Sequence, residues 1–197
     1  KPLRSPPGTL ARPDTCRATT SGSSRGRSRR APEDAAHGTG RPAVGPVELC
    51  VSPAPNSPDW AGIPLPPGIE TSDQGDGDLG ERMARAARRT LARGEAVLLT
   101  GTDCPDLTAE RLRNAAAQLS AHDAVLYRAE DGGYPLLGLR AFDASLFENM
   151  PWSTPAVADL TLERIARLGW RVWVGETLRD IDRPEDLACV PWADREP

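Results

Sequence analysis

The chain has two histidines and four cysteines in 197 residues, and none is arranged to hold zinc. Cys16, Cys50, Cys104 and Cys189 are scattered, no CxxC pair occurs, and His37 and His122 lie far apart, which excludes a structural zinc site. Isolated thiols fit a reduced, cytoplasmic protein. Long apolar runs are also missing. The longest aliphatic stretch, at residues 96–100, falls far short of the roughly 20 residues of a membrane span and suits a buried strand. Basic charge is scarce in the body of the chain: residues 1–41 carry net +6 and the remainder net −10, for a total of −4. An acidic body argues against a nucleic-acid surface, which needs clustered Lys and Arg. The chain opens on Lys1 rather than Met and shows no signal peptide, so it reads as a fragment.

Large aliphatic residues are nearly absent from residues 1–44, where only Leu3, Leu10 and Val44 occur among Pro, Arg, Ser, Gly and Thr. Such a segment buries too little to offset its ordering entropy, so a disordered stretch contributing no strand is expected. From Pro46 the pattern changes. Residues 47–51 read as a strand, followed by a Pro-rich connector to Pro67. A helix is expected over residues 79–93, with Leu79, Met83, Ala86, Ala87 and Leu91 on one face and Gly94 as its stop. Residues 96–100 read as a strand buried on both faces. Thr108 can cap the next helix, with Leu107 and Leu112 as a hydrophobic staple. Strands are expected at 124–127, 134–139 and 171–174. Thr154-Pro155 opens a helix that Gly169 closes, and 184–188 starts a short final one. Strands alternating with helices predict an α/β domain with a largely parallel sheet covered on both faces.

Two segments carry candidate chemistry. The strand at 96–100 runs into Gly101-Thr-Asp-Cys-Pro-Asp-Leu107, which places Asp103 at the carboxyl end of a strand, where α/β folds bind ligands. A carboxylate there can hold Mg²⁺ or Mn²⁺ against a diphosphate, and Asp103 and Asp106 can equally well cap backbone N–H groups in the turn. In Leu178-Arg-Asp-Ile-Asp-Arg-Pro-Glu-Asp-Leu187 the acids Asp180 and Asp182 alternate, so only one faces a cleft. Glu185 and Asp186 fall in a first helical turn, which negative charge favours.

Five motifs occur in order: Gln74-Gly-Asp-Gly-Asp-Leu-Gly-Glu-Arg-Met83, Gly101-Thr-Asp-Cys-Pro-Asp-Leu107, Ala129-Glu-Asp-Gly-Gly-Tyr134, Pro151-Trp-Ser-Thr154 and Asp180-Ile-Asp-Arg-Pro-Glu-Asp-Leu187. Over residues 47–190 the chain resembles bacterial GT-A-like transferases known as radical-SAM- or selenodomain-associated glycosyltransferases. That family is similar in fold to the molybdenum-cofactor and phospholactate guanylyltransferases. The resemblance implies a three-layer sandwich of the nucleotide-diphosphosugar-transferase type. It implies Asp103 and Asp182 as metal ligands, with Asp180 as the fallback. It also implies Gly75, Gly77, Gly80 and Arg82 beside the nucleotide, Asp131 orienting or deprotonating the acceptor, and Trp152 stacking on a substrate ring.

One departure accompanies the match. The family's first strand and its Ala-Pro-x-Pro-Gly-x-x-Lys-Thr-Arg-Leu phosphate loop are not readable in residues 1–44, with Lys1 as the sole remnant. The Pro/Arg/Ser/Gly text there is what a GC-rich gene gives out of frame, so the first strand and loop are read as missing or scrambled, and residues 191–197 as a tail. The implied function is metal-dependent glycosyl transfer from a nucleotide-sugar donor to a small-molecule acceptor. The alternatives are nucleotidyl transfer with release of pyrophosphate, and an inactive fragment or interaction module.

Overall fold

The computed structural model describes residues 12–23, 44–64 and 67–181, the first of these stretches by its backbone alone. Seven strands form one sheet: β1 (Arg12–Ser23), β2 (Val47–Ser52), β3 (Ile69–Asp73), β4 (Glu95–Thr100), β5 (Ala124–Ala129), β6 (Leu136–Leu139) and β7 (Val172–Leu178). Their spatial order is β3-β2-β1-β4-β6-β5-β7. Only β6 runs antiparallel to its neighbours. Among the described residues three α-helices pack on the sheet: α1 (Leu79–Leu91), α2 (Ala109–Gln118) and α3 (Val157–Arg167).

The alternation of buried side chains along the strands sorts the helices into two layers. Val97 and Leu99 of β4, Ala124 and Leu126 of β5, and Leu137 and Leu139 of β6 pack with Ala86 and Ala87 of α1 and Ile165 of α3. Ala96 and Leu98, Val125 and Tyr127, and Leu136 face the other way, toward Ala115 and Leu119 at α2. The result is the three-layer α/β sandwich expected from the sequence. Gly94 and Gly169 stop α1 and α3 with positive φ, Thr108 caps α2, and Leu107 and Leu112 pack together on the α2 side. No helix among the described residues is long and apolar enough to cross a membrane.

Three expectations need correction. First, Arg12–Ser23 lies in the middle of the sheet, so residues 1–44 do contribute to it and the first strand is not missing. Ala18 to Ser23 pair with Val47 to Ser52 of β2, and Cys16 to Thr20 pair with Ala96 to Thr100 of β4. A strand flanked on both sides gains backbone hydrogen bonds along its length whatever its side chains, so low local hydrophobicity did not forbid it. Second, β3 lies just past the connector, in a stretch for which no strand is expected, because it is an edge strand with one aliphatic residue, Ile69, and a mostly exposed surface. Third, α3 starts at Val157, not at Thr154-Pro155, which form the turn before it. Its capping N-terminal residue, Ala156, makes no side-chain cap. The Ala158 N–H instead donates to the Gly132 carbonyl at 2.9 Å. Asp182, the helix expected at 184–188 and the tail at 191–197 lie outside the described residues.

Candidate functional site

The carboxyl ends of the parallel strands open into one cleft, with a cavity volume of about 380 Å³. Along this edge Gln74 follows β3, Asp103 follows β4, Asp131 follows β5 and Asp180 follows β7, and all four line the cleft. Two distant segments meet at its centre. The Ile181 N–H donates to the Asp103 carbonyl at 2.8 Å, and the Arg179 N–H donates to Asp106 Oδ2 at 3.2 Å. The Cys104 thiol donates to the Arg179 carbonyl at 3.3 Å. These ties hold the Arg179–Asp180–Ile181 stretch against the Asp103 loop, so Asp103 and Asp180 share one wall. Asp106 thus accepts a backbone N–H of that facing stretch, a partner outside its own turn.

Gly101 is shaped by the same cluster. A Cβ there would lie 2.6 Å from Asp103 Oδ1, so the Asp103 carboxylate folds back over Gly101 and would have to move aside for any side chain at that position. Cys104 is buried beside it. Desolvation first, then the nearby charges of Asp106 and Asp180, push its thiol up from 9.0 to about 11. A raised thiol pKa means that folding favours the neutral form. That contribution to stability is complete below pH 9 and is lost as pH rises through 11. Native Cys104 is therefore expected to react with iodoacetamide about 100-fold more slowly at pH 8 than in the unfolded chain, on thiolate fraction alone. Peptide mass spectrometry after timed alkylation reads this directly, and rapid native labelling at pH 8 would contradict it.

The glycine-rich turn before α1 is held by side chains of the helix that follows it. Asp78 and Glu81 form a reciprocal capping box at the start of α1. Arg85 binds the carbonyls of Gln74 and Asp76, and Arg82 Nε binds the Gly77 carbonyl at 3.0 Å. A Cβ at Gly75 would meet the Arg85 guanidinium, and one at Gly77 the Glu81 carboxylate. Gly80 is buried under Trp152 and the Phe147 carbonyl, where a Cβ would sit 2.8 and 2.6 Å away. Of Gly75, Gly77, Gly80 and Arg82, only Arg82 is among the residues lining the cleft. The glycines are accounted for by close packing around the α1 terminus.

Gln74 is the residue that sequence reasoning passed over. It is buried, its Nε2 donates to the Cys50 carbonyl at 3.0 Å, and its Oε1 accepts from Arg82 Nη1 at 3.2 Å. A polar amide directly after a strand, at the head of a glycine-rich motif, was the available signal. Behind it lies an ionic cluster. Arg89 of α1 pairs with buried Glu48 of β2, and Ser72 of β3 donates to Glu48 Oε1 at 2.5 Å. Arg89 Nη2 also reaches Ser72 Oγ at 3.0 Å.

At the other end, Asp131 Oδ1 accepts the Gly133 N–H at 2.7 Å, closing a turn whose φ at Gly132 is 90°. A Cβ at Gly132 would sit 2.2 Å from the Pro155 carbonyl. Gly132→Ala is expected to destabilise the protein by about 1–3 kcal/mol, from backbone strain plus overlap. Urea unfolding would show this as a lower midpoint with unchanged slope. Trp152 lines the cleft above this turn and meets Tyr134 edge-on, with ring centroids 6.5 Å apart.

Comparison with known proteins agrees with this architecture. Residues 37–154 match the family described as "Uncharacterized protein conserved in bacteria (DUF2064)", and the chain belongs to that family. No curated protein matches it. Among solved structures, it is similar to a Desulfovibrio desulfuricans G20 protein described as a "putative nucleotide-diphospho-sugar transferase". The identity is 25% and the TM-score 0.74, over 85% of this chain and 82% of that one. Glucosyl-3-phosphoglycerate synthase from Mycobacterium tuberculosis, solved with Mn²⁺, UDP and glucosyl-3-phosphoglycerate, shares the fold at 13% identity and TM-score 0.56. That match covers 95% of this chain and 81% of the synthase. CMP:2-keto-3-deoxy-manno-octonic acid synthetase with CTP does so at 11% identity and TM-score 0.52, over 89% and 96% of the two chains. The fold is that of the nucleotide-diphospho-sugar transferases.

Proposed function

We propose that the cleft binds a nucleotide-sugar donor together with Mg²⁺ or Mn²⁺ and transfers the sugar to a small-molecule acceptor. The observation that carries this reading is the tie between the Asp103 loop and the Asp180 stretch at the carboxyl edge of the sheet. The donor set suits the ion. Mg²⁺ is commonly held by one or two carboxylates, with substrate phosphates and water completing its shell. Asp103 and Asp180 offer two hard oxygen ligands, with Asp182 two residues further along. No group of three His, Cys, Asp or Glu that would cage a metal occurs among the described residues. When bound, the ion would offset the charge growing on the departing diphosphate.

The rest of the work falls to the chain. Gln74 and Arg82 stand at the β3 end of the cleft, where the nucleotide would lie. Asp131 stands at the β5 end. With Oδ1 engaged by Gly133, its second oxygen is the one to take the proton from an acceptor hydroxyl. The acceptor oxygen, giving up its proton to Asp131, attacks the anomeric carbon, the bond from this carbon to the diphosphate breaks, and a nucleoside diphosphate leaves. The loop after β1, where the family resemblance implies phosphate-binding N–H groups, lies outside the described residues. The kinship with radical-SAM-associated transferases and a cytoplasmic setting belong to the same proposal.

A second reading is nucleotidyl transfer, favoured by one observation: β4 ends in Gly101-Thr102-Asp103, without the Asp-x-Asp of many glycosyltransferases. The product separates the two. The full chain is incubated with Mg²⁺ or Mn²⁺, nucleotide sugars or nucleoside triphosphates, and a mixed acceptor pool. Nucleoside diphosphate release supports glycosyl transfer, and pyrophosphate release supports nucleotidyl transfer. Absence of both with every donor would support an inactive fragment instead.

A further inference from the structure

The acceptor half of the cleft has a chemical character of its own. Asp131, Tyr134, Trp152, Ser153 and Thr154 line it, and no Lys, Arg or His does so there among the described residues. The basic residue of the cleft, Arg82, stands at the β3 end and spends two of its donors on Gln74 and Gly77. Asp131 therefore presents negative charge without a cationic neighbour in the lining. Its Oδ1 is occupied by Gly133, so a ligand meets an oxygen that accepts hydrogen bonds and repels anions.

Trp152 adds the second feature. Its indole nitrogen is buried and finds no partner among the described residues, and the edge bearing Nε1 and Cζ2 rests over Gly80. What its ring shows the cleft is carbon. The ring is held by Tyr134 edge-on and by a short ordered rim. The Trp152 backbone N–H donates to the Met150 carbonyl at 2.8 Å, Thr154 Oγ1 donates to the Pro151 carbonyl at 2.8 Å, and Ser153 sits at φ 62°. A non-glycine residue at positive φ is uncommon and marks a rim fixed in place by its surroundings.

Resting on the proposed transferase reading, we infer that the acceptor is an uncharged ring polyol, with an apolar ring face on Trp152 and a hydroxyl donated to Asp131. Phosphorylated and carboxylated acceptors are disfavoured by the described lining, where nothing in this half of the cleft offsets a second anion beside Asp131. A flat aromatic wall suits the C–H face of a ring.

Saturation-transfer NMR on the full chain tests this, with and without Mn²⁺ and UDP. The probes are methyl glucoside, myo-inositol, glucose 6-phosphate and 3-phosphoglycerate. The two uncharged probes are expected to bind, and the two anions to bind at least about ten-fold more weakly. Trp152→Ala should lose the polyol signal while Mn²⁺–UDP affinity holds, and Trp152→Phe should keep the signal. Asp131→Asn retains the bond to Gly133 and removes the charge. It should raise affinity for glucose 6-phosphate on the order of five-fold. Equal or stronger binding of the anions by the unmodified chain would overturn the inference, as would absence of any polyol signal under both conditions. Loss of Mn²⁺–UDP binding with polyol binding intact would instead count against the donor reading alone.

Discussion

Asp103→Asn is expected to lower metal-dependent donor turnover by about 10³-fold or more while the fold is retained. The substitution preserves size and one oxygen, and it removes one of the two negative charges, with Asp180, on the same wall of the cleft. A divalent ion supplies several kcal/mol of stabilisation to a departing diphosphate, and about 4 kcal/mol corresponds to that rate factor. Because β4 is buried and the loop is also tied through the Asp103 carbonyl, which the exchange leaves in place, the fold should tolerate it. Gly101→Ala acts on the same point indirectly. A Cβ 2.6 Å from Asp103 Oδ1 must displace the carboxylate, so turnover should fall and apparent metal affinity with it. If Asp103→Asn keeps full turnover with unchanged metal dependence, Asp103 is a turn residue and nothing more.

Removing Arg89 should have the largest effect on stability. The Glu48 side chain is only 4% exposed, and Arg89 is a cationic partner to it. Deleting one member of a buried pair leaves the other charge less compensated in a poorly solvated place and costs about 3–5 kcal/mol. For a chain of this size that corresponds to a fall in Tm on the order of 10 °C. The pair spans β2 and α1, and Ser72 extends it to β3, so the same variant should loosen the end of the cleft where Gln74 sits. The double variant Glu48→Leu with Arg89→Met should recover most of the loss, since an apolar replacement of both partners leaves no uncompensated charge. Urea denaturation of the two variants measures this. Equal destabilisation of the single and double variants would mean that packing of the Arg89 stem, not its charge, supports this corner.

The parts of this molecule legible in sequence are those where local pattern and tertiary environment agree. Ala86 and Ala87 in α1, Val97 and Leu99 in β4 and Leu126 in β5 follow their expected periods because each faces the core. Thr108, Gly94 and Gly169 punctuate the helices through rules that act within a few residues. What escaped detection depends on distant partners. Arg12–Ser23 is held by ladders to β2 and β4, and its own side chains give little sign of it. The start of α3 is fixed by the Gly132 carbonyl, 26 positions before its partner Ala158. The site divides in the same way. Asp103 was readable because a buried strand feeds straight into it, and its neighbourhood with Asp180 needs the fold. Gly75, Gly77 and Gly80 have the spacing of a ligand loop, yet Arg85, Glu81 and Trp152 fill the space beside them.

The central claim is that one nucleotide and one divalent ion share the cleft at Asp103. The most direct measurement is the free Mn²⁺ signal in electron paramagnetic resonance, titrated with the full chain in the presence and absence of UDP, GDP or CDP. Protein and one of these nucleotides together are expected to deplete free Mn²⁺ well beyond either alone, and Asp103→Asn is expected to abolish this depletion while the circular dichroism spectrum stays that of the folded chain. Mn²⁺ depletion that is indifferent to nucleotide, or retained in full by Asp103→Asn, would contradict the claim.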